Sequence, residues 1–378
     1  MFNPKLPDND LPLLPPQNLK LSDATYRQLS KASRTLAELN TYITTNTENV
    51  GLLVLGSFLI KEWVESSAIE NINTTIESVF QADISSGKIS KEDKEVLHYR
   101  QATLWGIEQV ENYGAIITNT LITIQSMIEP NKSWIRKIPW TVLMNGTGDV
   151  IYTPPVGEKI IKDLLSNLEK YINDNDTIDP LVKLAVIHYQ FESIHPFPDG
   201  NGRTGRILMI LYLVLKGLLK MPILYLSEYI NTNKTEYYKA LQGIREKEDR
   251  DSLIHYILVA VEQQANKTKD KLEAVTNLIQ EKKKEIDDLK LKIPGTFIDC
   301  FFDRPYCNIA TIEKEKRYSW KTIKKYIDLL VKHSILEHLD TENKKEQNYT
   351  IPQYIEILLT GKFNKKSHNI KKWLEKLL

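Results

Sequence analysis

A chain of 378 residues is long enough for two or three domains and a sizeable core. Its 42% hydrophobic and 26% charged content is that of an ordinary soluble globular protein and excludes a disordered or collagenous one. Lys plus Arg number 50 against 49 Asp plus Glu, so no global charge excess directs the chain to nucleic acid or to a membrane. The longest uninterrupted apolar run, Ile207 to Leu215, falls far short of the roughly 20 residues of a spanning helix. The opening MFNPKLPDNDLPLLPP places Pro and Asp where a secretory signal needs a positive end and an apolar stretch. Cys300 and Cys307 form no CxxC pair and suit a reducing compartment, so a cytoplasmic location without a membrane partner is expected.

Prolines crowd residues 1–21 and predict an extended arm along a surface, because each fixes its own backbone and biases its predecessor away from helix. Residues 22–113 read as a helical region. Asp23 is a candidate cap for its first helix, and Ile69, Ile72, Ile76 and Val79 recur at helical spacing in a second, broken at Asp83 to Gly87. Asn145-Gly146-Thr147-Gly148, between Thr141–Met144 and Asp149–Tyr152, predicts a β-hairpin closed by Pro154-Pro155. Helical periodicity resumes over Glu158 to Tyr171 and Pro180 to Ile194. Ile207 to Leu219 is apolar all round, which predicts a buried central helix. Helix continues over Ser227 to Glu236 and Tyr237 to Arg245, and Asp251 to Leu291 reads as one or two long helices. Their charged end, QEKKKEIDDLKLK, is expected to be a solvated spacer, so that 114–265 forms the central unit and 266–293 a linker helix.

The segment with the densest chemistry is 195–206, HPFPDGNGRTGR. Its span from Gly200 to Gly205 fits GxGxxG, yet Pro196 and Pro198 precede it where a dinucleotide-binding loop needs a buried strand. The first acid after it is Glu228, and no βαβ alternation surrounds it. Helix, loop, helix fits better: the prolines stop one helix, the glycines turn the backbone amides toward one point, and a second helix starts near Asn201 or Gly202. The amides of that first turn, with the positive helix end, suit phosphate oxygens. Arg203 and Arg206, three apart, suit further phosphates, and Asp199 suits Mg²⁺, which takes one or two carboxylates and fills its shell with phosphate and water. His195, an imidazole titrating near neutrality, suits removal of a proton from an incoming hydroxyl.

These residues resemble the motif of Fic-domain proteins, HPFx(D/E)GNGRxxR, at every fixed position, and the preceding QFESI is also similar. The resemblance implies a mainly α fold: a Fic helical core with a small β-hairpin flap, an N-terminal helical region and a C-terminal winged-helix domain. It implies transfer of AMP from ATP, with Mg²⁺, to a Tyr, Thr or Ser hydroxyl of a protein target or of the enzyme itself, releasing pyrophosphate. His195 would be the base and Asp199 the metal ligand. Gly200, Asn201 and Gly202 would stabilise charge on the α-phosphate, Arg203, Thr204, Gly205 and Arg206 would continue the nucleotide site, and Tyr237-Tyr238 would lie near the adenine. Ile151 and Tyr152 fall on the flap, whose edge pairs with an extended target segment by strand addition.

Upstream, Ser66-Ser67-Ala68-Ile69-Glu70-Asn71 resembles the family's inhibitory motif (S/T)xxxE(G/N). On that pattern Glu70 occupies Arg206, with Ser66 and Asn71 as the other fixed positions, and the chain is autoinhibited. Removal of AMP and other Fic-type phosphate-ester transfers are the alternatives within the enzyme class.

Residues 294–360 resemble a winged helix, with Lys321, Lys324 and Lys325 diluted by Asp328, Glu337, Asp340, Glu342 and Glu346. A DNA-binding regulator with a nucleotide-sensing core is thus the alternative from a different class, and a homodimer is a further assembly left open. Residues 361–378 read as a basic amphipathic tail docking on its own protein.

Overall fold

Helices make up nearly all of the regular structure. The computed structural model describes residues 2–46, 48–84, 89–137, 141–314, 318–339 and 347–362. In chain order these form α1 (Asp23–Asn46), α2 (Glu48–Ile69), α3 (Ile76–Ile84), α4 (Lys91–Tyr113) and α5 (Thr118–Ile128). A 3₁₀ turn (Pro130–Lys132) and a hairpin of β1 (Leu143–Met144) and β2 (Val150–Tyr152) follow. Then come α6 (Glu158–Asn173), α7 (Pro180–Ile194), α8 (Asn201–Leu215), α9 (Leu226–Thr232), α10 (Lys234–Lys247) and α11 (Arg250–Asp288). The last part contains α12 (Gly295–Asp303), α13 (Ile309–Lys314), α14 (Trp320–Lys332), β3 (Glu337–Leu339), β4 (Asn348–Thr350) and α15 (Pro352–Thr360).

The centre of the molecule is the pair α7 and α8. Asp179 caps α7 by accepting from the Leu181 amide, Pro180 occupies the first helical position, and residues 181–191 are buried throughout. In α8, every residue from Arg203 to Leu213 is buried, as its apolar perimeter predicts. The helix ends at Leu215 rather than Leu219, because Gly217 takes a left-handed backbone (φ 66°). Around this pair α8 packs on α4 and α5, α7 packs on α6 and α11, and α2 lies against α4 and α9.

Several elements differ from the sequence expectation. The second helix does not run through Ile69, Ile72, Ile76 and Val79: α2 stops at Ile69, and α3 starts after a break in which Asn71 is left-handed (φ 61°) and Thr75 Oγ1 accepts from the Ser78 amide. Ser22, not Asp23, caps α1, by accepting from the Thr25 amide. The hairpin is shorter than the sequence suggests, pairing Leu143 with Tyr152 and Met144 with Val150 around an irregularity. The break between α9 and α10 falls at Asn233, so Tyr237 and Tyr238 share α10 with Arg245.

The long helix is continuous, and the stretch expected as a solvated linker is its second half. Leu272, Val275, Leu278 and Ile279 are buried there, α15 packs on α11, and Lys283 pairs with Asp299 of α12 at 2.7 Å. In the C-terminal part β3 and β4 pair antiparallel, and Cys307 bridges to Tyr349. Helix α12 packs on both α11 and α2, so this part shares a wall with the helix that leads to Glu70. The N-terminal segment lies along the helical body: the Asp8 amide donates to the Thr153 carbonyl, Gln190 donates to the Pro12 carbonyl, and Leu11 is buried. The tail expected over 361–378 lies outside the described residues apart from its first two.

Glu62, two turns before Glu70 on α2, is buried with both carboxylate oxygens on Ser227 at the start of α9, one taking its amide (3.0 Å) and the other its hydroxyl. Burial outweighs these hydrogen bonds and pushes the carboxyl from its ordinary 4.5 up to about 8. The folded state therefore binds a proton that the unfolded state has released, and stability falls as pH rises through that window. Glu62→Gln is expected to reduce this slope in urea unfolding at pH 5.5, 7 and 8.5. A variant with the wild-type slope would show that another group sets it.

Candidate active site

The site is built where α7 stops and α8 starts. His195 closes α7 as its C-terminal cap in a left-handed conformation (φ 46°), donating its amide to the Phe191 carbonyl. A non-glycine residue held there signals local strain maintained by its surroundings. Arg136 supplies part of that hold: its Nε donates to the His195 carbonyl at 2.7 Å, and its Nη2 to the Pro155 (2.8 Å) and Ile194 (3.2 Å) carbonyls. Its amide meets the Pro196 carbonyl at 2.8 Å. Phe197 is fully buried.

The next turn is closed by Asn201, whose side chain accepts from the Phe197 amide (2.9 Å) and donates to the Phe197 carbonyl (2.7 Å). The fold commits this side chain to the loop. Gly200 is left-handed (φ 77°) and leads into α8, whose first turn leaves backbone amides without intrahelical partners. Two further glycines make room for carboxylates. A Cβ at Gly202 would collide with the Glu70 carboxylate, and one at Gly205 would stand 2.5 Å from Glu192 Oε1 and 3.0 Å from the Phe191 ring. Thr204 is buried beneath them.

Both arginines of the motif are buried, and each is paired. Arg206 donates through Nε to Ser66 Oγ (2.7 Å) and through Nη2 to the Ser66 carbonyl (2.9 Å) and Glu70 Oε1 (2.8 Å). Ser66 lies on α2, while Glu70 sits in the turn just past its end, where left-handed Asn71 redirects the chain. That backbone is why Gly or Asn suits the position after the glutamate. Burial would raise the Glu70 carboxyl, but the Arg206 guanidinium more than offsets this and holds it below its ordinary range. Arg203 donates to Glu129 Oε1 at 2.6 Å and lies 3.5 Å from Glu95 Oε2. Asp199 accepts from the Gly200 amide through Oδ1 (2.8 Å) and from Lys132 Nζ through Oδ2 (2.5 Å).

His195 Nδ1 is buried, with the Glu192 backbone as its polar neighbour. Burial, reinforced by the Arg136 charge, pulls the imidazole down to about 4, so it is neutral and able to accept a proton at physiological pH. Glu192, one turn earlier on α7, has an unpartnered Oε1, and burial pushes it up to about 7. Tyr237 is buried with its hydroxyl 2.7 Å from His188 Nε2, whereas Tyr238 packs on it (ring centroids 5.3 Å apart) and is exposed. Of the two, only Tyr238 offers a ring face.

On the hairpin, Ile151 is half-buried and Tyr152 is fully buried. The Tyr152 hydroxyl lies 3.0 Å from both the Asp8 carboxylate and the Ser193 carbonyl, and the Arg245 guanidinium covers its ring at 3.9 Å. Tyr152 thus anchors the base of the hairpin, and Met144 is its exposed apolar residue.

A nucleotide triphosphate with a divalent cation fits this donor set: a helix start with free first-turn amides, two guanidinium groups and one part-exposed carboxylate. Sequence reasoning missed Arg136, Lys132, Glu129 and Glu95, which lie outside the motif with no spacing that marks them. Glu192 lies within QFESI, where no spacing marks it as part of the site.

Residues 115–213 match the Fic/DOC family model, and residues 26–108 match the Fic/DOC family N-terminal model. A probable protein adenylyltransferase of Aquifex aeolicus is 39% identical over 80 residues, 21% of this chain and 25% of that one. The protein adenylyltransferase fic-1 of Caenorhabditis elegans is 35% identical over 89 residues, 23% of this chain and 16% of that one. The matched stretch thus spans a quarter or less of these relatives' own length. Among solved structures, a Fic family protein from Desulfovibrio desulfuricans superposes with a TM-score of 0.56 at 18% identity, covering 92% of this chain and 99% of that one, which shows a shared fold.

Two outcomes follow from this geometry. In an NMR titration His195 is expected to stay neutral to below pH 5, with a midpoint of about 4, and a midpoint near 6.5 would contradict its burial. Gly205→Ala is expected to cost ~1–3 kcal/mol in urea unfolding, as overpacking does when both the Glu192 carboxylate and the Phe191 ring must give way. Adding Glu192→Ala should recover part of that loss.

Proposed function

We propose that this Fic-domain chain is an autoinhibited protein adenylyltransferase, using ATP as AMP donor and the hydroxyl of a protein side chain as acceptor. One observation carries the reading: a single chain reversal sets a neutral imidazole beside a helix start flanked by two buried guanidinium groups.

In this scheme the first-turn amides of α8 hold the phosphates and polarise the α-phosphorus. His195 accepts the proton of the incoming hydroxyl as its oxygen bonds to that phosphorus, and the bond to the β-phosphate breaks to release pyrophosphate. Asp199 would hold Mg²⁺, which when bound neutralises charge on the leaving phosphates. Arg136 keeps the imidazole in place through the His195 carbonyl, and Tyr238 supplies the aromatic face for the base. The hairpin edge is the surface for an extended target segment.

The ion pair of Arg206 with Glu70 supports the inhibitory reading, because a guanidinium committed to a carboxylate and to Ser66 is withdrawn from the γ-phosphate. The antiparallel hairpin after α14 supports reading residues 294–360 as a winged helix. The pairing of Lys324 with Asp328 on that helix supports protein contact over DNA contact.

Label from α-labelled ATP is expected to enter protein about tenfold or more faster with Glu70→Gly than with wild type, since one carboxylate less on Arg206 shifts the competition by more than ~1.4 kcal/mol. His195→Ala in the same background should abolish transfer while nucleotide binding persists. Transfer that survives His195→Ala would remove the base from this scheme, and a folded Glu70→Gly with no gain would remove the brake.

A further inference from the structure

The turn Glu129–Lys132, which lies outside the motif, brings two opposite charges onto two opposite charges of the site. Lys132 Nζ stands 2.5 Å from Asp199 Oδ2, and Arg203 Nη2 donates to Glu129 Oε1 at 2.6 Å. The turn is closed on itself, the Lys132 amide donating to the Glu129 carbonyl at 3.0 Å. It is also tied to the motif loop: Gln125 Nε2, on buried Gln125, lies 3.0 Å from both the Lys132 and the Asp199 carbonyls. Gly200 leaves space for it, since a Cβ there would stand 3.2 Å from Glu129 Cγ.

Asp199 and Arg203 are four residues apart, and their nearest charged atoms are separated by 3.9 Å. Left alone, such a pair closes on itself, as i,i+4 charges at a helix start do, and the phosphate cradle closes with it. A metal bound to phosphate would keep the two apart by giving the carboxylate a cation and the guanidinium an anion. Glu129 and Lys132 give each the same partner from the protein. The two halves differ in burial: side-chain exposure is 48% for Lys132 and 43% for Asp199, against 2% for Arg203 and 19% for Glu129. The lysine contact is open to solvent and exchangeable, and the glutamate contact is a sheltered anchor.

We propose that Lys132 is a built-in stand-in for the divalent cation on Asp199, exchanged for it when nucleotide arrives, while Glu129 keeps Arg203 from capturing Asp199. This rests on the nucleotide reading above. The turn then sets how strongly nucleotide binding depends on the metal. Without metal, Lys132 shields Asp199 from the incoming phosphates; with metal, it is a competitor.

The test is the affinity of the full-length protein for a fluorescent ATP analogue, mant-ATP, with Mg²⁺ and with EDTA, read as binding and not as turnover. Lys132→Met should bind more weakly in EDTA and more tightly in Mg²⁺, so the gain from metal rises about fivefold or more over wild type, the weight of a good exposed ion pair. Lys132→Arg, which keeps the charge, should stay near wild type. Glu129→Gln should move the gain the other way, because Arg203 then closes on Asp199. An unchanged gain in a Lys132→Met protein that binds mant-ATP would overturn the stand-in role and leave the nucleotide site intact. Wild type that binds no mant-ATP under either condition would overturn the nucleotide reading, and this inference with it.

Discussion

Burying a guanidinium is costly unless its charge is paired or its N–H groups are hydrogen-bonded, and this molecule buries Arg203 and Arg206 within one turn of the same helix, each against a carboxylate. Much of the surrounding arrangement meets that requirement. Helix α2 ends where it does so that Ser66 and Glu70 reach Arg206, and the end of α5 with the turn after it brings Glu129 to Arg203. Glu95 of α4 stands behind the second pair. The groups that would grip phosphate are thereby kept extended and ready by carboxylates from elements far away in sequence. Such preorganisation sets the site's geometry before a ligand arrives, and it also makes ligand binding an exchange of partners.

The imidazole obeys the opposite rule. His195 is kept neutral by burial, and its position comes from the backbone: a left-handed corner, a carbonyl held by Arg136 and a loop closed by Asn201. The imidazole and the two guanidinium groups are therefore fixed by different means, one by main-chain geometry and the others by charge pairing. A change in the pairing of Arg206 can leave the imidazole where it is. That separation suits a device that holds its chemistry assembled while its substrate grip is withheld.

Much of this was legible in the sequence, because the decisive signals are local. Pro180 after Asp179 fixes where α7 begins, the two prolines around Phe197 and the run of glycines fix where it ends and where α8 begins, and the apolar perimeter of α8 marks it as the centre. The pairing of Glu70 with Arg206 was legible through the resemblance alone, since no rule of spacing joins residues so far apart. What escaped was of two kinds. Asn71 overrode the apolar periodicity from Ile69 to Val79, because one left-handed residue outweighs a favourable pattern of side chains. Asn201, Arg136, Lys132 and Glu129 take their roles from tertiary contacts, and a lone Arg or a Glu–Lys pair three apart reads in sequence as an ordinary solvated charge. The buried half of α11 was misread for the same reason: its charges are numerous, and its apolar stripe is narrow.

The absence of a Cβ at Gly202 ties two distant positions into a fixed order of evolutionary change. A side chain at 202 collides with a glutamate at 70 for as long as that glutamate faces Arg206. A lineage could shorten residue 70 first and then enlarge residue 202, whereas the reverse path passes through an intermediate with an evicted carboxylate and a buried cation lacking its partner. Such epistasis would make the release of restraint hard to undo: once a bulkier residue has settled at 202, restoring a glutamate at 70 alone could not rebuild the pair.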